Sequence, residues 1–157
     1  MSGLKNIDLE KLLKKIIGSE FLGVFPSDII PNTRRKRFCV VFNLSPHDEP
    51  GSHFVAVARF PSKITYFDSF GKPCEEGNIQ NFMSSFELPI EYSKRKIQNE
   101  VSIFCGIFCI LFLCVCFKMN KPFSYLTNIF PEETSIKNDV IAVNFIVKNI
   151  KLSNMKK

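Results

Sequence analysis

From Val101 to Phe117 the chain is almost continuously apolar, interrupted by Ser102 and Gly106 and bounded by Glu100 and Lys118. A bilayer-spanning helix needs about 20 predominantly apolar residues. This run falls short of that, and no positive-inside pattern accompanies it. A helix that is apolar on every side is instead buried at the centre of a globular domain. A chain of 157 residues suits one such domain, here read as residues 1–157. A domain of this size buries roughly 68–70% of the surface its unfolded chain exposes. With 17 Phe and no Trp, phenylalanine must supply most of the aromatic packing.

The remaining segments alternate in character around this helix. Leu9, Leu12, Leu13, Ile16 and Ile17 recur at helical spacing and predict a helix over Ile7–Ile17, ended by Gly18. Phe21 to Asn32 holds Pro26 and Pro31 and reads as an irregular loop. Arg37–Leu44 reads as a strand, and Ser45–Ser52, with two prolines and a glycine, as a loop. His53–Phe60 and Lys63–Phe70 read as a hairpin closed by Pro61-Ser62. Further expectations are a helix over Asn78–Phe86, a strand over Ile90–Gln98, the central helix over Ser102–Phe117 and a short helix or loop over Asn120–Phe130. A last amphipathic helix over Asn138–Ile150 would carry Val140, Val143, Ile146 and Val147 on one side. Strands bracketed by helices at both ends imply an α+β domain with a small mixed sheet.

Net charge is +6, with basic clusters at Arg34-Arg35-Lys36-Arg37 and Lys94-Arg95-Lys96. Such runs serve either as a solvated face, as a nuclear-localisation signal or as a phosphate-binding patch. The six cysteines are Cys39, Cys74, Cys105, Cys109, Cys114 and Cys116. Met1 to Gly18 lacks a secretory pattern, so a reducing compartment without disulfides is expected, most of the cysteines being small buried hydrophobes. The spacing Cys105-x3-Cys109-x4-Cys114-x-Cys116 is not that of a zinc site, and His47 and His53 are the only histidines. No metal is expected.

Candidate chemistry gathers on the hairpin and at the start of the central helix. If Phe60 faces Lys63, paired positions sum to 123, so His53 pairs with Phe70 and Val55 with Asp68. His53 and Asp68 then share a face as diagonal neighbours, about 7–8 Å apart at the backbone. That suits a carboxylate accepting the Nδ1 proton of an imidazole, although strand His–Asp pairs are also common on ordinary surfaces. Cys105 sits near a helix N-terminus, where unpaired N–H groups and the dipole favour thiolate. Gly106 beside it lets a substrate backbone approach. An attacked carbonyl becomes an oxyanion that needs preorganised donors. The Gln98 amide and the Cys105 N–H are the candidates.

These segments resemble the adenovirus-type cysteine endopeptidases, a family in the same clan as the SUMO-specific proteases. The likeness rests on Gly51-Ser-His53-Phe54-Val-Ala-Val-Ala58, on Tyr66-Phe-Asp68-Ser-Phe-Gly71, on Gln98 through Cys105-Gly106-Ile-Phe-Cys109, and on Phe21-Leu-Gly-Val-Phe25, and it runs in order from about residue 5 to 130. It implies a central helix carrying the nucleophile Cys105 on a sheet bearing His53 and Asp68, with Gln98 at the oxyanion and Gly51, Phe54 and Gly106 along the substrate. It further implies limited cleavage of viral precursor proteins next to small residues such as Gly during virion maturation, by a monomer, in the virion and host nucleus. DNA is a cofactor of the relatives, which implicates Arg34, Arg35, Lys36, Arg37, Lys94, Arg95 and Lys96. A viral activating peptide is the other implied cofactor. The chain departs from the family in three places. Phe54 stands where the clan usually has Trp, Asp68 where adenovirus enzymes often have Glu, and no cysteine lies between Cys74 and Cys105 to hold an activating peptide by a disulfide. A deconjugase of ubiquitin-like modifiers and a DNA-binding virion protein with an inactive protease fold are the alternatives.

Overall fold

The computed structural model describes residues 5–155. Residues 1–4 and 156–157 lie outside the described residues, and with them the start of the Met1–Gly18 stretch and both ends of the 1–157 domain. In chain order the elements are α1 (Asn6–Ile17), β1 (Phe21–Pro26), β2 (Phe38–Asn43), β3 (Phe54–Phe60), β4 (Lys63–Phe67), α2 (Gly77–Ser84), β5 (Ile90–Tyr92), α3 (Cys105–Leu113), α4 (Phe123–Asn128) and α5 (Lys137–Met155). The strands form one mixed sheet in the order β1-β2-β3-β4-β5. The outer pairs β1–β2 and β4–β5 are parallel and the inner pairs antiparallel. The α+β class inferred from the sequence is the fold observed.

Period-two alternation divides the strands between two cores. Cys39 and Val41 of β2, Ala56 and Ala58 of β3 and Phe67 of β4 face one way, together with α1, α3 and α5. Phe38, Val40, Phe42, Val55, Val57, Ile64 and Tyr66 face the other, where Ile79, Phe82 and Met83 of α2 cover them. A sheet covered on both faces by helices explains why β2 is buried at all six positions. The central apolar run behaves as expected: every residue from Phe108 to Leu113 is fully buried. Ala56 and Ala58 present only methyl groups to it, so α3 lies close across β3. The last turn of the run widens into a π-helical turn over Cys114–Lys118, whose Phe117 ring stacks on Phe60 at 5.4 Å.

Three expectations are corrected. Phe21–Pro26 is an edge strand, not a loop. Its pairing with β2 shifts register between Phe21 and Val24, around Gly23 at φ +139°, and Pro26 is tolerated because it closes an edge strand. The strand expected over Ile90–Gln98 is only three residues long, because from Ser93 the backbone turns to follow the segment after β4, Ile97 and Gln98 both donating to the Ser69 carbonyl. On α5 the inward side is Asn138, Asp139, Ala142 and Ile146, while Val140 and Val147 are exposed. Buried polar contacts at the helix start, described below, set that rotation.

The hairpin register matches the expected sum, with Phe60 opposite Lys63 and Ala56 opposite Phe67. Beyond β4, Gly71 at φ +75° turns the chain against residues 94–96. A methyl group there would lie 2.8 Å from the Lys94 carbonyl oxygen and 2.8 Å from the Lys96 nitrogen. Gly71→Ala therefore meets both an unfavourable φ and rigid backbone. It should cost about 2 kcal/mol or more of unfolding free energy, measured by urea denaturation.

Candidate active site

β3 begins at Phe54 and β4 ends at Phe67, so His53 and Asp68 lie just past the open end of the hairpin. The His53 carbonyl accepts from the Leu44 N–H at 2.9 Å, which ties this backbone to the end of β2. Asp68 Oδ1 accepts from His53 Nε2 at 2.9 Å and from the Phe70 N–H at 2.8 Å. Phe70, the expected partner of His53, stacks on the imidazole with ring centres 4.8 Å apart. The carboxylate is thus oriented by its own turn, and the imidazole is held by Asp68 and an aromatic face. One detail is reversed. Asp68 meets Nε2, not Nδ1, which leaves Nδ1 for Cys105. Strand parity specifies which residues meet but not which way a ring faces.

Cys105 is the first residue of α3. Burial pushes its thiol up, but hydrogen bonding to His53, the backbone at Phe54, the imidazolium charge and the backbone at Gly106 outweigh burial and hold it below the ordinary thiol value of 9.0. Burial likewise disfavours the charged imidazole, yet the hydrogen bonds to Asp68 and Cys105 and their charges raise His53 from 6.5 to about 9. The two shifts run in the same sense: each partner favours the charged form of the other. Burial drives Cys39, Cys74, Cys109, Cys114 and Cys116 the other way. All six cysteines are free.

Gln98 is buried on the far side of the same cleft. Its Oε1 accepts from the Ser69 hydroxyl, and its Nε2 donates to the Ser102 carbonyl at 2.9 Å. His53, Cys105, Gln98, Gly51, Phe54 and Gly106 all border one open cavity of about 640 Å³. Phe54 borders it while being only 8% exposed and packed in the core with α3. A methyl group at Gly51 would lie 2.4 Å from Asn43 Nδ2, so the Asn43 carboxamide would have to shift to admit one.

Sequence reasoning overlooked the side chains that shape this wall. Asn43 Oδ1 accepts from the N–H groups of Ser45 and Ser52, closing the loop that presents Gly51 and His53. Ser69, Ser102 and Asp139 surround Gln98. The one visible signal was a polar Asn138-Asp139 pair at the start of an amphipathic helix. The basic residues divide. Arg37 packs its guanidinium 4.7 Å from the Phe117 ring centre and pairs with Glu20, and Arg95 donates to the carbonyls of Thr127, Phe130 and Pro131 at the end of α4. Both are structural in the fold. Arg35 donates to the Ser19 carbonyl, and Lys96 pairs with Glu100 at 2.7 Å. Arg34, Lys36 and Lys94 are exposed. Among the described residues no group of three or more His, Cys, Asp or Glu is placed to hold a metal ion, and no helix is long and apolar enough to cross a membrane.

No protein-family model matches the chain. A protease of snake adenovirus serotype 1 is 28% identical over 144 residues, covering 78% of this chain and 70% of the relative. Among solved structures, ChlaDub1 from Chlamydia trachomatis superposes with a TM-score of 0.52 at 16% identity, over 72% of this chain and 60% of that one. A protease of ASFV gives 0.48 at 16% identity, over 68% and 42%. The chain therefore spans less than two thirds of either solved chain. The resemblance to an adenovirus protease that the motifs carry extends over most of the chain, and the α+β architecture is shared with ChlaDub1 at low identity.

The ion pair has a direct readout in iodoacetamide labelling of each cysteine against pH. Cys105 should label rapidly at pH 7, well below its ordinary titration range, and alone among the six. In His53→Ala its labelling curve should move to higher pH, because burial then acts on the thiolate without a counter-charge.

Proposed function

We propose that this chain is a cysteine endopeptidase making limited cuts in viral precursor proteins, next to small residues such as Gly, during virion maturation in the virion and host nucleus. The observation that carries the reading is that His53, held by Asp68, Cys105 at the start of α3 and Gln98 border one cavity, with the His53 and Cys105 shifts each favouring the charged form of the other. The sequence likeness to an adenovirus protease supports it independently.

In the proposed reaction the Cys105 thiolate adds to the scissile carbonyl carbon, and the carbonyl π electrons move to oxygen. The resulting oxyanion is met by the Cys105 N–H at the α3 N-terminus and by the Gln98 amide. As the C–N bond breaks, His53 passes its Nδ1 proton to the leaving amine, and the acyl-thioester remains. Neutral His53 then takes a proton from water, the hydroxide adds to the thioester carbonyl, and collapse of the second tetrahedral intermediate returns the thiolate. Asp68 holds Nε2 throughout, keeping Nδ1 toward sulfur. Glycines at 51 and 106 on the cavity wall suit a substrate whose own side chains near the cut are small.

DNA is the proposed cofactor, through Arg34, Lys36 and Lys94, since Arg37 and Arg95 are committed within the fold. An activating viral peptide, if used, would bind without a disulfide: Cys74 is half-buried, and burial raises its thiol. The enzyme is proposed to act as a monomer.

Cleavage of a Gly-Gly peptide amide tests the activity. Cys105→Ala should abolish it, and Gln98→Ala should lower kcat by about 10²–10³-fold. The rate should fall as pH rises through about 9, where His53 loses the proton that the leaving amine requires. A Cys105→Ala protein with undiminished cleavage would remove the proposal, and exclusive action on folded modifier tails would replace the endopeptidase by a deconjugase. For DNA, binding should weaken linearly with the logarithm of salt concentration. Replacing Arg34 and Lys36 by Ala should make that slope shallower by about 0.9 for each phosphate no longer neutralised.

A further inference from the structure

The carboxamide of Gln98 can be placed in only one way. The Ser102 carbonyl only accepts, so the group facing it at 2.9 Å is Nε2–H. Oε1 then faces Ser69, whose hydroxyl must donate. Nε2 keeps a second hydrogen, and Gln98 borders the cavity shared with Cys105 and His53. Left to itself, a terminal amide turns easily about its last torsion, which is broad and roughly two-fold. The turned form would present Oε1, and hence negative charge, to the forming oxyanion.

Both partners of Gln98 are themselves fixed. The Ser69 carbonyl accepts from the N–H groups of Ile97 at 2.9 Å and Gln98 at 3.0 Å, so one serine, adjacent to Asp68, holds Gln98 by main chain and side chain together. Ser102 donates its hydroxyl to Asp139 Oδ1 at 2.9 Å and accepts from the Phe104 N–H at 3.1 Å. Asn138 Nδ2, from the same first turn of α5, donates to the Ile97 carbonyl at 2.9 Å. Ser69 is fully buried, Asp139 7% exposed and Ser102 9% exposed. Removal of any of these groups would leave a buried polar atom without its partner.

We propose that Ser69 on one side, and the Ser102–Asp139 pair on the other, are positioning residues that lock the Gln98 carboxamide with its amide edge toward the oxyanion. The proposal rests on the endopeptidase reading and adds the device that makes Gln98 a competent donor. α5, remote from the cleavage chemistry in sequence, thereby acts on the reaction through its first turn.

The test measures kcat and KM on a Gly-Gly peptide amide, iodoacetamide labelling of Cys105 and thermal unfolding, for wild type, Ser69→Ala, Asp139→Ala, Asp139→Asn, Gln98→Ala and the double variant Ser69→Ala with Gln98→Ala. Loss of one orienting hydrogen bond should lower kcat about 5- to 10-fold in Ser69→Ala and Asp139→Ala. KM and Cys105 labelling should stay as in wild type, because the thiolate–imidazolium pair is untouched. Asp139→Asn keeps an acceptor for Ser102 and should recover most of the rate. The double variant should be no slower than Gln98→Ala alone, since Ser69 acts only through Gln98. Undiminished kcat in Ser69→Ala and Asp139→Ala, loss of labelling in step with kcat, or multiplicative loss in the double variant would each overturn the lock while leaving the endopeptidase standing. A wild-type chain that neither cleaves nor labels at Cys105 would overturn both.

Discussion

Burial of α3 is the constraint on which the rest of the molecule depends. Six consecutive residues of this helix are fully buried. Each large apolar side chain so buried contributes about 1.5–3 kcal/mol. The helix is therefore held against β3 from every side, and its first residue, Cys105, is fixed relative to the strand end that carries His53. A helix with no polar face has no other stable place in a domain of this size. The same burial that stabilises the fold thus places the helix N-terminus and Cys105 at the open end of the hairpin.

Around that apolar axis the site is built from polar groups that answer one another. Asp68 is held by its own turn, His53 by Asp68 and Phe70, and Gln98 by Ser69 and Ser102. In a poorly hydrated environment such bonds are strong and unpartnered groups are costly, so the network is kept only when nearly every member is satisfied. Burial acts on all six thiols in the same direction. Only at Cys105 do the His53 imidazole and the backbone at Phe54 and Gly106 overcome it, which is why one cysteine of six is chemically set apart.

Basic residues illustrate how composition misleads when read without packing. Arg37 and Arg95 belong to runs that look like nucleic-acid patches, yet one guanidinium stacks on Phe117 and the other closes the end of α4. Arginine serves both purposes through the same planar fork of donors, so a run of charge does not reveal which residues face solvent. Likewise Gly23 and Pro26 conceal an edge strand over Phe21–Pro26, because edge strands accept prolines that central strands exclude.

What was legible in the sequence followed from local periodicity and short-range pairing. The apolar run specified a buried helix, the two-residue turn at Pro61-Ser62 specified the hairpin register, and register brought His53, Asp68 and Phe70 together. The position of Cys105 at a helix start, beside Gly106, was equally local. The tertiary structure alone decided that Asp68 meets Nε2, that α5 turns Asn138 and Asp139 inward and that Ser69 and Ser102 grip the two ends of one carboxamide. Three of the hydrogen bonds that do this join segments 29 to 41 residues apart, set by how elements pack rather than by any repeat along the chain. A period of two or 3.6 residues reports which side of an element is buried. It carries no information about which polar atom of a distant element completes the hydrogen bond.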